Sequence, residues 1–250
     1  MKDIKATTPD EQALLNALQA ATGAQINDYL GTQTLTDLAR KLDVDIWPRS
    51  YIMYGQPIII AADLVAANPK AGVAGYSNSI SGSFTYPRAE TPCSILVNNG
   101  KVIQGGACHS HVNKPESVIY RLTDGRIGIK RCLYAADLPG DVRWAVGGMG
   151  LCDMYDPAAE GFSRFQWGGK WHDYSDVLRR TDHTLLGVKG GHVYLGYVSN
   201  MTGQQVQAFA RDKHRFDAAI MLDGGGLAAI NCSVARRNVY AKQGYILQAI

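Results

Sequence analysis

The sequence predicts an α+β fold: a mixed, mainly antiparallel sheet with packed helices, preceded by an N-terminal helical region. Three observations lead there. Capped helix signals occupy the start of the chain. From Tyr51 onward, short apolar or alternating runs are separated by turn residues, the texture of a sheet-rich domain. Helical stretches are interspersed among hairpins without the regular β-α-β alternation of a doubly wound sheet. The expected division is a helical region over residues 1–48 and one larger domain over residues 49–250.

The first helix is marked by Thr8 as N-cap, Pro9 at the first helical position, Glu11 completing a capping box, and Gly23 just past the end. Ala13, Leu14, Ala17, Leu18 and Ala21 form its expected apolar stripe. A second helix is expected from Thr34, with Leu35, Leu38, Ala39 and Leu42 at helical spacing. It stops before Pro48, which biases Trp47 toward an extended conformation. Neither helix carries paired acids or a nucleophile beside a base, so the region reads as a partner-docking arm or a cap on the main domain.

Three hairpins follow. Residues 94–97 and 101–103 flank Asn98-Asn99-Gly100, where Asn-Gly supplies the positive φ values of a tight turn. Residues 117–122 and 126–130 flank Thr123-Asp124-Gly125, and residues 184–188 and 192–198 flank Lys189-Gly190-Gly191. A further helix begins at Thr202, which forms a capping box with Gln205 and places Val206, Phe209 and Ala210 on one face. It leads into the apolar strand 218–222 and then Asp223-Gly224-Gly225-Gly226. Gly147-Gly148-Met149-Gly150 is another glycine cluster, but no helix follows it as a dinucleotide fingerprint requires.

Composition excludes several classes. With 250 residues, 46% apolar and 19% charged, the chain can bury a substantial core. A net charge of +3 and a pI near 8.5 are too mild for a nucleic-acid or membrane surface. The longest apolar run, residues 57–67, is interrupted by Asp63 and is shorter than the roughly 20 residues of a spanning helix. The N-terminus has no apolar signal core, so a cytoplasmic or virion-associated protein is expected. The five cysteines are scattered, without C-x-x-C spacing, and read as reduced, structural thiols rather than a disulfide framework. Cys108-His109-Ser110-His111 would place two histidines on one face of a strand, which is at most half of a metal site. No metal or cofactor is called for.

Asp223 and its glycines are the strongest candidate site. The carboxylate stands at a strand end, and consecutive glycines can adopt φ > 0 and turn their N–H groups toward an anion. Trp167, Trp171, His172 and Asp173 lie in a loop that could line a sugar pocket. Ser77 and Ser79 lack the G-x-S-x-G elbow of a serine hydrolase.

The order of these parts resembles the phosphodiester glycosidase family, of the "uncovering" type that removes N-acetylglucosamine from a phosphodiester-linked mannose. The run His183-Thr184-Leu185-Leu186-Gly187-Val188, a turn, a strand, a helix and then Met221-Leu222-Asp223-Gly224-Gly225-Gly226 is similar to that family's Arg-Thr-Ala-Ile-Gly element followed by Asn-Leu-Asp-Gly-Gly-Gly-Ser. Ser81-Gly82-Ser83-Phe84 is similar to its Asn-Gly-Gly-Phe-Phe loop, residues 92–103 to the hairpin after it, and Trp144–Gly148 to its Gly-Gly element. The resemblance spans residues 70 to 232. Ser81 stands where the family has Asn, unless Asn78 takes that place; His183 stands for its Arg, with Arg179 and Arg180 nearby; Leu227 stands for its Ser.

The resemblance implies hydrolysis of the glycosidic bond of a sugar-1-phosphodiester or related phosphorylated glycan, with a phosphomonoester as leaving group. Asp223 and His183 are the implied catalytic residues. Gly224, Gly225, Gly226, Ser81, Gly82, Asn78, Arg179 and Arg180 are the implied binding residues for a phosphorylated sugar or nucleotide-like molecule. Two other classes are compatible: a non-catalytic binding protein for such a ligand, and a structural or assembly component, for example of a phage particle. A homo-oligomeric or assembly contact is expected through the N-terminal helices.

Overall fold

The computed structural model describes residues 4–5, 9–22, 29–30, 48–67, 73–85, 91–162, 164–167, 170–173, 179–237 and 245–250. The chain divides into two units, residues 1–47 and 48–250.

In the first unit, β1 (Ile4–Lys5) pairs antiparallel with β2 (Tyr29–Leu30), and α1 (Pro9–Thr22) lies between them in sequence. The helix has the bounds that Pro9 and Gly23 predict, and two residues of its expected stripe are not buried. Leu15 and Gln19, one turn apart and so on one side, are buried, whereas Ala13 and Ala17 are exposed. Alanine matches an apolar pattern while offering little area to bury; the side chains of Leu14, Leu18 and Ala21 lie outside the described part of the structure. The helix expected from Thr34 lies outside the described residues.

The second unit contains β3 (Arg49–Met53), β4 (Gln56–Ala61), β5 (Leu64–Ala67), β6 (Ser79–Ser81), β7 (Leu96–Asn98), β8 (Lys101–Gln104), β9 (Glu116–Leu122), β10 (Ile127–Cys132), β11 (Val142–Gly150), β12 (Arg164–Trp167), β13 (Lys170–Asp173), β14 (Thr181–Lys189), β15 (His192–Met201), α2 (Gly203–Ala208), β16 (Ala218–Gly224), β17 (Ile230–Cys232), β18 (Ala235–Arg237) and β19 (Ile246–Ala249). A large sheet runs β10-β9-β11-β16-β14-β15-β4-β3, with β7 and β8 joined to it through β11. A five-stranded sheet runs β18-β17-β6-β19-β5. All these pairings are antiparallel.

The α+β class, with packed helices, a mixed sheet and an N-terminal helical region, is therefore corrected to a predominantly antiparallel β fold. Among the described residues only α1 exceeds six residues as an α-helix, and its unit also carries a strand pair. Turn chemistry dominates the rest of the chain, and antiparallel neighbours need only short turns where parallel ones need crossovers. The helix expected from Thr202 is α2, which continues as a π-helix over Phe209–His214. No helix among the described residues is long and apolar enough to cross a membrane.

Strand alternation separates the two largest core clusters. Leu186, Val188, Ile220, Leu222, Val193 and Leu195 face the five-stranded sheet and meet Ile80, Ile230, Leu247 and Ala249. Their sequence neighbours Leu185, Ala219 and Met221 face the other way, toward Val206, Phe209, Ala210, Phe162 and the Cys93 and Cys108 thiols. The apolar run 57–67 serves both sheets: β4 belongs to the large one and β5 to the other. Asp63 sits at the corner between them. Its carboxylate accepts from the Trp144 indole at 2.5 Å and meets Arg143 at 2.8 Å, so a buried charge at the turn is paired.

β11 joins the two halves of the large sheet. Its length pairs with β9 on one edge, while the opposite edge pairs with β7 through Trp144–Val146 and with β16 through Met149–Gly150. The glycine cluster makes this possible. A side chain at Gly147 would overlap Glu116, one at Gly148 the Met221 carbonyl, and one at Gly150 would lie 2.5 Å from the Met154 carbonyl.

Candidate functional site

Asp223 is the penultimate residue of β16, and its neighbours come from both sheets. β14 brings His183 opposite Gly224 and Thr184 beside them. β6, from the five-stranded sheet, ends at Ser81, and the Gly82 carbonyl accepts from the Asp223 N–H at 3.2 Å. Thr184 fastens the three strand ends. Its Oγ1 lies 2.9 Å from the Asp223 carbonyl oxygen and 3.2 Å from that of Ser81, so its one proton is shared between β16 and β6.

The Asp223 carboxylate is 6% exposed and held at both oxygens. Oδ1 accepts from the Gly224 N–H at 3.2 Å, and Oδ2 from Thr85 Oγ1 at 3.2 Å. The Thr85 backbone bridges Pro92, and the next residue, Cys93, donates its N–H to the Phe84 carbonyl at 2.7 Å. Ser83, just before these anchors, is 1% exposed, and its hydroxyl has no hydrogen-bond partner among the described residues. Phe84 packs on Phe162 with 4.9 Å between ring centroids, and His109 meets the edge of Phe162 at 5.1 Å.

The chain leaves Asp223 through a single 3-10 turn, Gly225–Leu227, which Gly225 enters with φ +59. Only glycine adopts this conformation without a Cβ penalty. Gly225 is half-buried and Gly226 exposed. Beyond the turn the backbone returns to β6: Ala229 N–H donates to Ser81 Oγ at 3.0 Å, and Ser81 N–H donates to the Ala229 carbonyl at 3.0 Å.

The residues expected at a site therefore separate. Asp223, Gly224, Gly225, Gly226, Ser81, Gly82 and His183 come together. Ser81 is buried with its hydroxyl engaged by Ala229, which makes it a brace for the glycine turn. His183 is fully buried, with Nε2 2.9 Å from the Met201 carbonyl. A carbonyl can only accept, so Nε2 carries a proton, and Nδ1 is the acceptor nitrogen of the neutral ring. Asn78 stands before the opposite end of β6, where its side chain accepts from Ser50 Oγ at 3.3 Å. Arg179 and Arg180 are exposed ahead of β14, and Arg180 donates to the Asn200 carbonyl at 2.8 Å.

Thr85 carries no sequence signal, because its role depends on a partner 138 positions away, whereas Thr184 and Ser83 stand inside the motif stretches without being candidate site residues. The 108–111 segment is a turn rather than a strand: a 3-10 turn covers Ser110–Val112, and the His109 and His111 rings lie 6.1 Å apart. No three potential ligand side chains converge on a metal-sized space among the described residues. The side chains of Trp167, Trp171, His172 and Asp173 lie outside the described part of the structure. Their backbone forms the β12–β13 ladder, with Trp167 opposite Lys170.

No protein-family model matches the chain, and no curated protein matches it significantly in sequence. Solved structures do match in fold. The zebrafish N-acetylglucosamine-1-phosphodiester alpha-N-acetylglucosaminidase catalytic domain, auto-inhibited by its pro-peptide, superposes with a TM-score of 0.54 over 82% of each chain, at 15% identity. A hypothetical protein from Synechocystis gives a TM-score of 0.53 at 10% identity, over 80% of this chain and 61% of that one. At such identities the likeness is one of fold, and the chain is a distant structural relative of a phosphodiester glycosidase domain.

Proposed function

We propose that this protein hydrolyses the glycosidic bond of a sugar-1-phosphodiester or a related phosphorylated glycan. The observation that carries the reading is the doubly held, almost buried Asp223 carboxylate beside a glycine turn, at the point where strand ends of both sheets meet. The fold shared with the zebrafish phosphodiester glycosidase domain supports the substrate class.

In this mechanism Asp223 activates the attacking water or orients the sugar at its anomeric carbon. A phosphomonoester leaves without needing strong acid assistance, so the larger demands are anion binding and stabilisation of an oxocarbenium-like transition state. The Gly224 N–H is turned to Asp223 Oδ1, which leaves the amides of Gly225 and Gly226 as the backbone donors for the phosphate. His183, when protonated, adds a donor at Nδ1. Thr85 positions the carboxylate. Incubating the purified protein with a panel of sugar-1-phosphodiesters tests the reading: release of free sugar and phosphomonoester supports it, and no release from any member of the panel overturns it.

A second reading is favoured by the same side chains. Ser81 and His183 spend hydrogen bonds on Ala229 and Met201, and the Leu227 side chain has no polar atom, so a pocket that holds a phosphorylated sugar or nucleotide without turning it over also fits. Thermal stabilisation by such ligands, with no turnover, distinguishes it.

A further inference from the structure

Cys93 and Cys108 are fifteen residues apart in sequence, and their Sγ atoms lie 3.0 Å apart. That is about 1 Å beyond the roughly 2.05 Å of a disulfide bond. Both thiols are almost wholly buried, at 4% and 7% exposure, in the core cluster that also holds Phe162 and Met149. Each is anchored through its own backbone. Cys93 N–H binds Phe84, next to the Thr85–Pro92 bridge, and Cys108 N–H donates to Glu116 Oε2 at 3.1 Å. A bond between the sulfurs would tie the strand segment carrying Thr85, and through it the Asp223 carboxylate, to the His109 turn.

We propose that Cys93 and Cys108 are a redox-active pair that closes reversibly to an intramolecular disulfide beside Asp223. The surroundings divide the labour between the two sulfurs. The hydrogen bond with Cys93 lowers the Cys108 thiol to about 6, with burial opposing and His109 assisting, which favours Cys108 as the attacking sulfur. Cys93 is pushed well up, first by that same hydrogen bond and then by burial, and Glu116 and Asp223 add to the effect. Burial raises Cys132 to about 12 and Cys152 to about 11, which leaves them poor competitors.

With a peroxide as oxidant the step balances. The Cys108 thiolate attacks one peroxide oxygen, the O–O bond breaks, and Cys108 becomes a sulfenic acid while the departing hydroxide takes a proton to become water. The Cys93 sulfur then attacks the Cys108 sulfur and the S–O bond breaks. The leaving hydroxide takes the Cys93 proton as a second water. Two thiols are oxidised by two electrons, one peroxide is reduced to two waters, and an external dithiol reverses the change.

The proposal stands whether or not Asp223 is catalytic, and its test needs no activity. The folded protein is treated with hydrogen peroxide, quenched in acid, denatured, alkylated and mapped by peptide mass spectrometry. The expected product is two hydrogens lighter, with Cys93 and Cys108 joined in one cross-linked peptide pair and Cys132, Cys152 and Cys232 alkylated. Dithiothreitol restores the alkylatable pair, and the oxidised protein melts several degrees higher than the reduced one. Cys93→Ser and Cys108→Ser each abolish both the cross-link and the shift; if either variant fails to fold, the wild-type peptide map carries the test alone. Recovery of both residues as free thiols, of Cys108 over-oxidised with Cys93 alkylated, or of Cys108 joined to another cysteine would overturn it, as would a cross-link that leaves the melting midpoint unchanged.

Discussion

Thr85 Oγ1 donates to Asp223 Oδ2 across 3.2 Å, although the two residues are separated by 138 positions. The bond joins the segment after β6 to the end of β16, and it fixes the carboxylate on the side opposite the Gly224 N–H.

Removing that donor should disturb the carboxylate more than the fold. Thr85→Val keeps the shape and branching while losing one hydrogen bond to a charged group, worth about 1.5–3 kcal/mol. Turnover of a sugar-1-phosphodiester should fall about tenfold or more through kcat, and stability should fall by no more than that one bond contributes. Steady-state kinetics and a urea melt measure the two effects separately.

Two glycines of the site should respond oppositely to substitution. A Cβ at Gly82 would lie 2.7 Å from the Tyr245 carbonyl oxygen, which already accepts the Gly82 N–H at 2.8 Å. Gly82→Ala should cost about 1–3 kcal/mol. At Gly226 a Cβ meets nothing within 4 Å, so Gly226→Ala should leave stability within about 0.5 kcal/mol. The bulkier Gly226→Leu should raise KM about tenfold by obstructing the proposed anion site, and chemical denaturation alongside kinetics separates the two glycines.

Glu116 should make stability depend on pH. Burial raises its carboxyl to about 8 from 4.5, against the pull of the Ile95 and Cys108 N–H groups. The folded protein therefore holds a proton that the unfolded chain releases between about pH 4.5 and 8, so this contribution is complete below 4.5 and lost as pH rises through 8. Its size is on the order of a few kcal/mol. The thermal midpoint should decline across that window, and Glu116→Gln should flatten the decline. At pH 5 the variant should be less stable by about 1–3 kcal/mol, because an amide nitrogen cannot accept the N–H it faces.

What was legible in the sequence was local. Asn99-Gly100 and Gly190-Gly191 take positive φ at both positions and close the β7–β8 and β14–β15 hairpins, and Thr202 and Gln205 form both bonds of their capping box. The Tyr54-Gly55 turn has the same two positive φ values, yet tyrosine is not a turn residue; its ring packs edge-on against His214 at 5.2 Å. The five-stranded sheet was hidden for a different reason. β6 pairs with β17 and β19, more than 140 positions later, and such pairings leave no local pattern. At the site, Asp223 and its glycines announced themselves as a strand-end motif, whereas Arg180 was selected by proximity in sequence to His183 and instead binds Asn200. The Cys93–Cys108 contact was invisible because fifteen-residue spacing matches no cysteine motif.

The most direct measurement is the rate at which wild-type protein and Asp223→Asn release N-acetylglucosamine from an N-acetylglucosamine-1-phosphodiester. Asparagine preserves the size of the side chain and its one oxygen can still accept from Thr85, while its amide nitrogen cannot accept the Gly224 N–H, so the fold should hold at a cost of about 1–3 kcal/mol. Measurable release by wild type is expected, with a loss of about a hundredfold or more in the variant while it remains folded, the scale for removing a positioned acid or base. Equal rates in the two proteins would contradict it.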